Sequence, residues 1–412
     1  MKVIILGCGN RGRAYAGFLK QNNVEIAAAA DPLADKLAKF GEDFGIPKDR
    51  LYTNWLDALA HTEAVAVINA TPDRVHYETG MEVLRRGYHM LLEKPMSPID
   101  KECTDLVNCA EEKGLLLMVC HVLRYAPFFE KLKEVLDAET LGKLVHVELT
   151  ENVAYWHYAH SFVRGVFRNE AESSPFILAK SCHDLDLIVY LTGKKCLSVM
   201  SEGNRVHFRA ENAPEGAPDF CLQNCPHAET CPHFAPRLYL TQFENATWPA
   251  ASVSIDQSYY GRLKALETEL HGRCVFRCDN DLNDHQTAIF QMEGGLIVSF
   301  NMCGFASENT RTMRFSGTMG DLQGHLDKGE IKVNNFLTGE TTVISTNTDT
   351  LVAGHGGGDA RLLKDFVDAV REKRFDVKTA GRLSVQSHLM AFGAEISRKE
   401  GRRVNLSELE GK

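Results

Sequence analysis

The residues Gly7-Cys8-Gly9-Asn10-Arg11-Gly12 have the types and the spacing that bind a dinucleotide phosphate. They follow a short apolar run, Val3 to Leu6, and precede a helical pattern. Gly7 permits the tight turn, Gly9 lets the backbone approach a pyrophosphate, and Gly12 allows the helix to pack against the strand. The free N–H groups at the start of such a helix favour an anion. We therefore predict a dinucleotide site at this turn.

Asp31 stands at the end of the next predicted strand, which spans residues 24–30. A carboxylate at this point can accept hydrogen bonds from the ribose hydroxyls of adenosine, and it would repel a 2′-phosphate. The pattern therefore predicts NAD rather than NADP.

Two further predicted strands end in polar residues, the first at Thr71-Pro72 and the second at Glu93-Lys94-Pro95. Open α/β sheets bind their ligands at the carboxyl ends of the strands. A lysine is usually a solvated surface group. Lys94, however, follows a buried strand, and Pro95 restricts its backbone. An ammonium there can hydrogen-bond a reacting hydroxyl and stabilise developing alkoxide charge.

The chain resembles the Gfo/Idh/MocA family of NAD(P)-dependent oxidoreductases in four segments: Gly7 to Gly12, Thr71-Pro72, Glu93-Lys94-Pro95 and His183-Asp184-Leu185-Asp186. The resemblance is strong over the first domain and weaker after it. It implies activity on sugars or cyclitols, a second domain with a large antiparallel sheet, and an active site between the domains. The cofactor-binding residues we predict are Gly7, Gly9, Asn10, Arg11, Gly12, Asp31, Thr71, Pro72, His76, Glu93, Lys94 and His121.

His183 matches the position of the family's catalytic base and precedes an apolar helical run. Ser181 and Asp184 have the spacing of a capping box, which would put His183 in the first helical turn, where the dipole favours neutral imidazole. A lone histidine is more often structural. The family pattern also has an acid four residues before this histidine, where this chain has Ala179. We expect Lys180 to replace that acid in part, and predict Lys94, His183 and Lys180 as catalytic residues.

A polar and aromatic stretch between residues 152 and 168 suits a carbohydrate, whose ring can stack on an aromatic face while its hydroxyls are hydrogen-bonded. The predicted substrate-binding residues are Tyr155, His157, His160, Arg164, Lys180 and His183. The alternative is a surface loop with buried aromatics. Arg164 and Arg168 would then form structural ion pairs, although they could also bind a carboxylate or phosphate.

Cys221, Cys225 and Cys231 lie within eleven residues of a proline-rich connection. Three thiolates this close can surround one zinc ion, with His227, His233 or the distant Cys182 as a fourth ligand. The alternatives are a thiol cluster without metal and an iron–sulfur centre. We predict a tentative structural zinc site.

The elements that must position these residues alternate between strand and helix up to residue 125, which predicts a doubly wound parallel sheet. Strands with short turns follow, beginning at Leu144, and predict a mostly antiparallel sheet. The expected fold is α/β, with a Rossmann domain at 1–125 and an α+β substrate domain at 126–412. The second domain would carry a cysteine-rich insertion near 203–240 and helices at its end, the first of them capped by Asp359.

The composition excludes several classes of protein. The 412 residues carry a net charge of −9, which argues against nucleic acid or an anionic membrane as a partner. No apolar run is long enough to span a membrane. The start of the chain reads as a core strand, and cysteine is too sparse for a disulfide scaffold, so we expect a cytoplasmic protein. The resemblance to the family further implies that the protein is a homo-oligomer, either a dimer or a tetramer.

Together these patterns predict hydride transfer between NAD and a secondary hydroxyl of a sugar, cyclitol or sugar derivative. One alternative is redox-neutral cleavage of a glycoside through a transient keto-sugar. Another is a non-catalytic regulator that binds NAD and a ligand. A zinc hydrolase is disfavoured, because the cysteines suggest a closed structural site.

Overall fold

The computed structural model describes residues 1–243, 248–346 and 355–409. Its strands are β1 (Lys2–Leu6), β2 (Glu25–Ala30), β3 (Leu51–Tyr52), β4 (Ala66–Asn69), β5 (His89–Leu92), β6 (Leu117–Val119), β7 (Leu144–Ala154), β8 (Cys196–Asn204), β9 (His285–Met292), β10 (Ile297–Ala306), β11 (Thr310–Gly317), β12 (Gly320–His325), β13 (Glu330–Asn335), β14 (Thr341–Ser345) and β15 (Val404–Asn405).

The α-helices are α1 (Asn10–Gln21), α2 (Ala34–Phe44), α3 (Trp55–His61), α4 (His76–Arg85), α5 (Asp100–Glu112), α6 (Pro127–Asp137), α7 (Tyr155–Tyr158), α8 (Phe176–Ala179), α9 (Cys182–Thr192), α10 (Tyr259–Thr268), α11 (Gly358–Glu372) and α12 (Gly381–Glu400). A π-helical turn, Ala159–Arg164, follows α7 directly.

The first six strands form one parallel sheet in the order β3-β2-β1-β4-β5-β6. All four residues of β4 are buried, because helices cover both faces of the sheet. The chain order reverses between β1 and β4, so the turn after β1 lies at the switch point where such sheets bind dinucleotides. The predicted doubly wound sheet is confirmed.

The other nine strands form a second sheet in the order β14-β13-β12-β11-β7-β10-β9-β8-β15. Its neighbours are antiparallel except β7 and β10, which run parallel. Along β9 buried residues alternate with partly or fully exposed ones, as expected for a sheet covered on one face. The predicted large, mostly antiparallel sheet is confirmed, including the turn at Gly294-Gly295 between β9 and β10.

The connection between β8 and β9, residues 205–284, is here called the β8–β9 insertion. It extends well beyond the cysteine-rich segment near 203–240 that we predict from the sequence. It contributes most of a small separate hydrophobic core, which includes Leu238, Tyr239, Val253 and Leu266. The described parts of the insertion therefore pack around a hydrophobic core of their own beside the main core.

The last helices return to the first sheet. The N–H of Val119 at the end of β6 donates to the carbonyl of Thr379 over 2.9 Å, and Met118 forms an antiparallel bridge with Ala380. At the start of α11 a Cβ on Gly358 would lie 2.1 Å from the carbonyl oxygen of Val122, so only glycine allows this approach. Residues more than 230 positions apart therefore complete one edge of the sheet.

The predicted N-cap of α11 is wrong. Gly357 caps the helix, and Asp359 lies in its first turn. The carboxylate of Asp359 is drawn instead to Arg11, which offers a stronger, charge-assisted hydrogen bond. No helix within the described parts of the chain has the length and apolar character needed to cross a membrane.

Candidate active site

The turn between β1 and α1 has the geometry of a phosphate cradle. Gly7 has a φ of +90°, and a Cβ there would lie 2.3 Å from the carbonyl oxygen of Ala70. A Cβ on Gly12 would lie 2.0 Å from the carbonyl oxygen of Gly7, so helix and strand meet only without side chains. Gly9 faces open space, with only the end of the Lys36 side chain within 4 Å. An approach by a pyrophosphate therefore fits this loop.

Asp31 is buried at the end of β2, and its carboxylate is already oriented. Its oxygens accept hydrogen bonds from the N–H of Cys8 at 2.9 Å and of Leu33 at 3.1 Å. Lys36 Nζ lies 2.9 Å from Oδ2. Carboxylate oxygens can accept several bonds, so the ribose hydroxyls of NAD fit this position. Lys36 adds a positive charge beside the Asp31 carboxylate, and the sequence pattern did not predict this charge.

The β8–β9 insertion reaches this cradle. The exposed Asn10, in the first turn of α1, donates a hydrogen bond from Nδ2 to the hydroxyl of Ser252 over 3.4 Å. The insertion therefore borders the dinucleotide loop, although 242 residues separate the two positions.

Arg11 and Glu93 belong to a buried network instead of facing a ligand. Arg11 Nε donates to Glu93 at 2.6 Å and Nη2 to Asp359 at 2.6 Å, while the Tyr15 hydroxyl also donates to Glu93. Burial alone would raise the pKa of Glu93, but the adjacent Arg11 guanidinium holds that pKa below its usual range. The second oxygen of Glu93 accepts the N–H of Lys94 at 3.1 Å. Arg11 and Glu93, which we predicted as cofactor-binding residues, thus hold neighbouring groups in position. One of the groups that Glu93 holds is the backbone of Lys94.

His76 joins two of the strand-end loops. Its ring nitrogens lie 2.7 Å from the carbonyl oxygens of Thr71 and Pro95, and the residue has no exposed surface. Pro72, between these groups in sequence, is exposed at the carboxyl edge of the sheet. His76 thus connects the loop after β4 to the loop after β5 through hydrogen bonds, at the edge of the sheet where the cofactor is expected.

The side chain of Lys94 reaches from the first sheet to α8 of the second domain. Its Nζ donates to the carbonyl of Ala179, at the end of α8, over 2.7 Å. The backbone beyond Lys94 is held by a residue the sequence does not single out. The N–H of Met96 donates to His388 Nε2 at 2.9 Å, and His388 Nδ1 lies 2.8 Å from the carbonyl oxygen of Ser384. Lys94 is therefore partly buried on a fixed loop beside the turn that leads into α9.

His183 occupies the first turn of α9 and is 5% exposed. The predicted capping box is wrong, since Ser181 makes no side-chain cap and its hydroxyl lies 3.3 Å from the sulfur of Met302. Asp184 turns instead to Arg311 on β11, with Arg311 Nε donating to it over 2.6 Å. The charged guanidinium competes successfully with the neutral backbone donor.

Lys180 pairs with an acid that comes from another part of the chain. Its Nζ lies 3.0 Å from Oε1 of Glu151 on β7, and Arg311 lies 3.0 Å from the other oxygen. Glu151 is 1% exposed, so both of these ion pairs are buried at the carboxylate. Position 179 carries alanine, but Glu151 brings a carboxylate to Lys180. Glu151 continues the inward-facing alternation of Val147 and Leu149, and extending the predicted strand by one residue would have identified it.

His157 lies among these charges. Its Nδ1 is 2.7 Å from Oδ1 of Asn309, which also accepts the N–H of Ala154 at 2.9 Å, so Nδ1 is the donor and Nε2 is left as an acceptor. Burial, followed by the charges of Lys180, Arg311 and Lys94, lowers the pKa of His157 well below its usual range. Tyr155, in the same short helix, is half-buried, and its ring centre lies 5.8 Å from that of His233.

His121 follows β6 and lies inside the fold, next to His183. Their ring centres are 5.8 Å apart, and His388 lies 5.7 Å away on another side. The nearest carboxylate is Asp186, 3.7 Å from His121 Nε2, which Arg124 holds through two bonds of 2.7 Å. Burial lowers the pKa of His121 well below its usual range, so its ring is neutral. His121 is a buried neighbour of His183 and has no surface open to a cofactor.

His160 and Arg164 do not line an open pocket, contrary to our prediction. His160 is 4% exposed, its Nδ1 lies 3.0 Å from the hydroxyl of Tyr239, and burial lowers its pKa to about 2. Arg164 is fully buried and donates to the carbonyls of Arg273 and His233 at 2.7 Å each. Both side chains hold the β8–β9 insertion in place, because its backbone carbonyls need donors once it covers this turn. The alternative of a structural ion pair applies to Arg168, which bonds Asp279 at 3.0 Å.

The predicted zinc site is not formed. Among the described residues no group of three or more histidine, cysteine, aspartate or glutamate side chains is arranged to hold a metal ion, and Cys221, Cys225, Cys231 and Cys182 all belong to that part of the chain. Arg164 Nη2 lies 3.6 Å from the sulfur of Cys221, so a guanidinium stands where a metal ion would have to bind. Cys182, the first residue of α9, is fully buried, and burial raises the pKa of its thiol to about 12.

The geometry thus brings a dinucleotide cradle, a fixed lysine and a helix-terminal histidine to the carboxyl edge of the first sheet. Glu151 and Arg311 of the second sheet, with Lys180 before α9 and His157 in α7, lie beside this region. Such a set can bind a polyhydroxylated ligand, donate to its oxygen and take up its proton. The sequence pattern missed Glu151, Arg311, Asn309 and His388, which reach the site only through tertiary contacts.

Comparison with known proteins agrees with this geometry. Residues 1–121 match the family model described as oxidoreductase family, NAD-binding Rossmann fold. A putative oxidoreductase, YteT, of Bacillus subtilis is 24% identical, and the match covers 99% of each chain. The 2,7-anhydro-N-acetylneuraminate hydratase of Escherichia coli is also 24% identical, over 49% of this chain and 53% of that protein.

Among solved structures, the scyllo-inositol dehydrogenase of Lactobacillus casei with bound NAD(H) and scyllo-inositol superposes with a TM-score of 0.69. The match covers 99% of both chains at 16% sequence identity. At this identity the likeness establishes the fold, which both chains share across their whole length.

Proposed function

We propose that this chain, whose residues 1–121 match the Gfo/Idh/MocA family of NAD-binding oxidoreductases, oxidises or forms a secondary hydroxyl of a sugar, cyclitol or sugar derivative. The observation that carries the proposal is the bond from Lys94 Nζ to the Ala179 carbonyl at 2.7 Å. It holds an ammonium at the turn that leads into α9, four residues before His183. A lysine from the loop after β5 and a histidine from α9 are thereby directed at one region.

The cofactor would be held by the loop from Gly7 to Gly12, with Asp31 accepting the ribose hydroxyls. The open space at Gly9 and the oriented carboxylate of Asp31 support this placement. When bound, NAD supplies the acceptor for the hydrogen that leaves the carbinol carbon with its electron pair. Thr71 and Pro72 lie at the adjacent strand end and would border the nicotinamide.

In the oxidation, His183 takes the hydroxyl proton, and Lys94 donates a hydrogen bond to the same oxygen. The lysine stabilises the negative charge that develops as the proton leaves, which is the larger expected contribution. Lys180 is held by Glu151 and, with His157 and Tyr155, would bind the remaining hydroxyls. In the reverse direction the same two groups protonate the forming alkoxide.

The direct test measures absorbance at 340 nm with NAD and a panel of free sugars, uronates, inositols and glycosides. We expect a rise with one class, reduced by about a hundredfold or more in Lys94→Ala and His183→Ala. Lys101→Ala and His61→Ala are matched controls, because both side chains are exposed and lie away from the site. NAD binding without turnover of any substrate would contradict the proposal and favour a non-catalytic regulator.

Redox-neutral cleavage of a glycoside is the second candidate. In it the transient ketone acidifies the neighbouring C–H, a substituent leaves by elimination, water adds across the double bond so formed, and the hydride that was first removed is returned to the ketone. The contact between Asn10 and Ser252 favours it, because an insertion that borders the cradle would retain the cofactor between turnovers. The similarity to a hydratase, whose named reaction has no net redox change, also supports it. Product analysis distinguishes the two: released sugar without a net rise at 340 nm supports cleavage.

A further inference from the structure

An aromatic cluster outside the residues predicted from the sequence stands at the edge of the candidate active site. Trp248 of the β8–β9 insertion lies with its ring centre 4.8 Å from that of His157, 5.5 Å from that of Trp156 and 5.6 Å from that of His160. Phe243, also from the insertion, packs at 4.7 Å against Trp156. Two separate chain segments therefore build this group, called here the Trp248 platform.

Trp248 is held in place and yet remains open to solvent. Its ring is nearly perpendicular to those of His157, at 86°, and His160, at 89°, so it packs against two rings. His160 is itself fixed, since it stacks on His271 at 4.6 Å and lies 3.0 Å from the hydroxyl of Tyr239. Trp248 nevertheless keeps 42% of its surface exposed. A large apolar ring that is rigidly supported but uncovered is a ready stacking surface.

The platform is continuous with the proposed catalytic groups. His157 forms part of it and is hydrogen-bonded to Asn309. Two residues further along the chain, Arg311 pairs with Glu151, which is the partner of Lys180. Asn309 fixes the His157 ring at 2.7 Å, so the distance between platform and catalytic lysines does not depend on a mobile side chain. A ligand held at Lys94 can therefore extend onto Trp248.

We propose that the Trp248 platform is a subsite for a second pyranose ring, so that the substrate is a glycoside of at least two rings and not a free monosaccharide. This inference rests on the proposed function, because it assumes that the first ring reacts beside Lys94 and His183. The apolar face of the second ring lies on the indole of Trp248, as carbohydrate rings do on aromatic side chains. Its hydroxyls then point to solvent and to the insertion.

The test is a binding titration that does not require turnover. The chain has three tryptophans, Trp55, Trp156 and Trp248, and two of them belong to the platform. In a Trp55→Phe background with saturating NAD, quenching of tryptophan fluorescence reports binding at the platform. The probes are disaccharides that carry the common hexoses, N-acetylhexosamines and uronic acids, each compared with its component monosaccharides.

We expect at least one disaccharide to bind roughly tenfold more tightly than its monosaccharides, since one ring contact of this kind changes affinity by about that factor. Trp248→Ala should abolish the gain, and Trp248→Phe should retain most of it. Tyr260→Ala is the matched control, because Tyr260 is an aromatic residue of the same insertion that is 79% exposed.

The outcomes separate this inference from the proposed function. Turnover of a monosaccharide with no gain for any disaccharide, or a gain that survives Trp248→Ala, would overturn the subsite and leave the oxidoreductase intact. If no sugar binds and none is turned over, both fail.

Discussion

Arg11 and Asp359 lie 348 positions apart, and two hydrogen bonds of 2.6 and 3.3 Å join their side chains. Asp359 is only 4% exposed at its side chain, so the pair is buried on the aspartate side. We expect Asp359→Asn to lower the free energy of unfolding by about 2–3 kcal/mol, because it removes charge-assisted bonds from a buried site. Urea-induced unfolding measures the change.

Glu372→Gln is the control for this substitution. Glu372 lies on the same helix, is 63% exposed, and pairs with Arg374 at 3.5 Å. Exposed pairs contribute little, so no measurable change is expected. Equal effects of the two substitutions would contradict the structural role of Asp359.

His388 should act on catalysis through the loop that carries Lys94. His388→Leu removes the acceptor of the Met96 N–H, and the resulting displacement of Lys94 should lower kcat by about ten- to hundredfold. NAD affinity should stay unchanged, because the cradle is formed elsewhere. His388→Gln keeps an acceptor near the same place and should recover most of the rate. A KM effect without a kcat effect would rule out positioning of Lys94.

His388 also predicts a pH dependence of stability. Burial lowers its pKa from 6.5 to about 3. Below pH 6.5 the unfolded chain therefore binds a proton that the folded chain does not, and stability falls as the pH drops toward 3. This one histidine should make the free energy of unfolding about 2 kcal/mol lower at pH 5 than at pH 8.

The measurement compares free energies of unfolding at pH 8 and pH 5. His388→Gln cannot titrate, so its loss of stability between the two pH values should be smaller by about 2 kcal/mol. His61→Gln, at an exposed position, should keep the full wild-type loss. An unchanged pH dependence in His388→Gln would show that the ring is charged in the folded chain.

Asp31 should determine the choice between NAD and NADP. Asp31→Ser removes the acceptor for the ribose hydroxyls, and we expect kcat/KM with NAD to fall about ten- to hundredfold. The value with NADP should rise, because the repulsion is gone and Lys36 remains near a 2′-phosphate. Asp35→Ser, an exposed acid of the same region, should leave both values unchanged. An unaltered ratio in Asp31→Ser would exclude this role.

The features that the sequence predicts well depend on local patterns. The strand, glycine turn and helix at residues 2–21 form because each step is encoded by neighbouring residues, and the alternation from Leu144 predicts β7 correctly. The site is harder, because its charges pair over long distances. Asp184 has capping-box spacing but binds Arg311, since a guanidinium from β11 offers a stronger bond than the helix backbone.

The β8–β9 insertion accounts for most of the remaining differences. His160 and Arg164 have the composition of a sugar site, yet the insertion covers them, and no local pattern indicates where a long connection will pack. The same packing brings Trp248 to His157 from 91 residues away in the chain. The domain boundaries, the homo-oligomer and the cytoplasmic location stay predictions.

The antiparallel bridge between Met118 and Ala380 has a consequence for synthesis on the ribosome. A nascent chain that has emerged only to residue 125 carries all six strands of the first sheet but leaves the backbone N–H of Val119 without the Thr379 carbonyl. Arg11 likewise lacks its hydrogen bonds to Asp359 until that residue has been synthesised. The cofactor-binding half therefore reaches its native edge only after residues 359–380 have been synthesised and have left the ribosome.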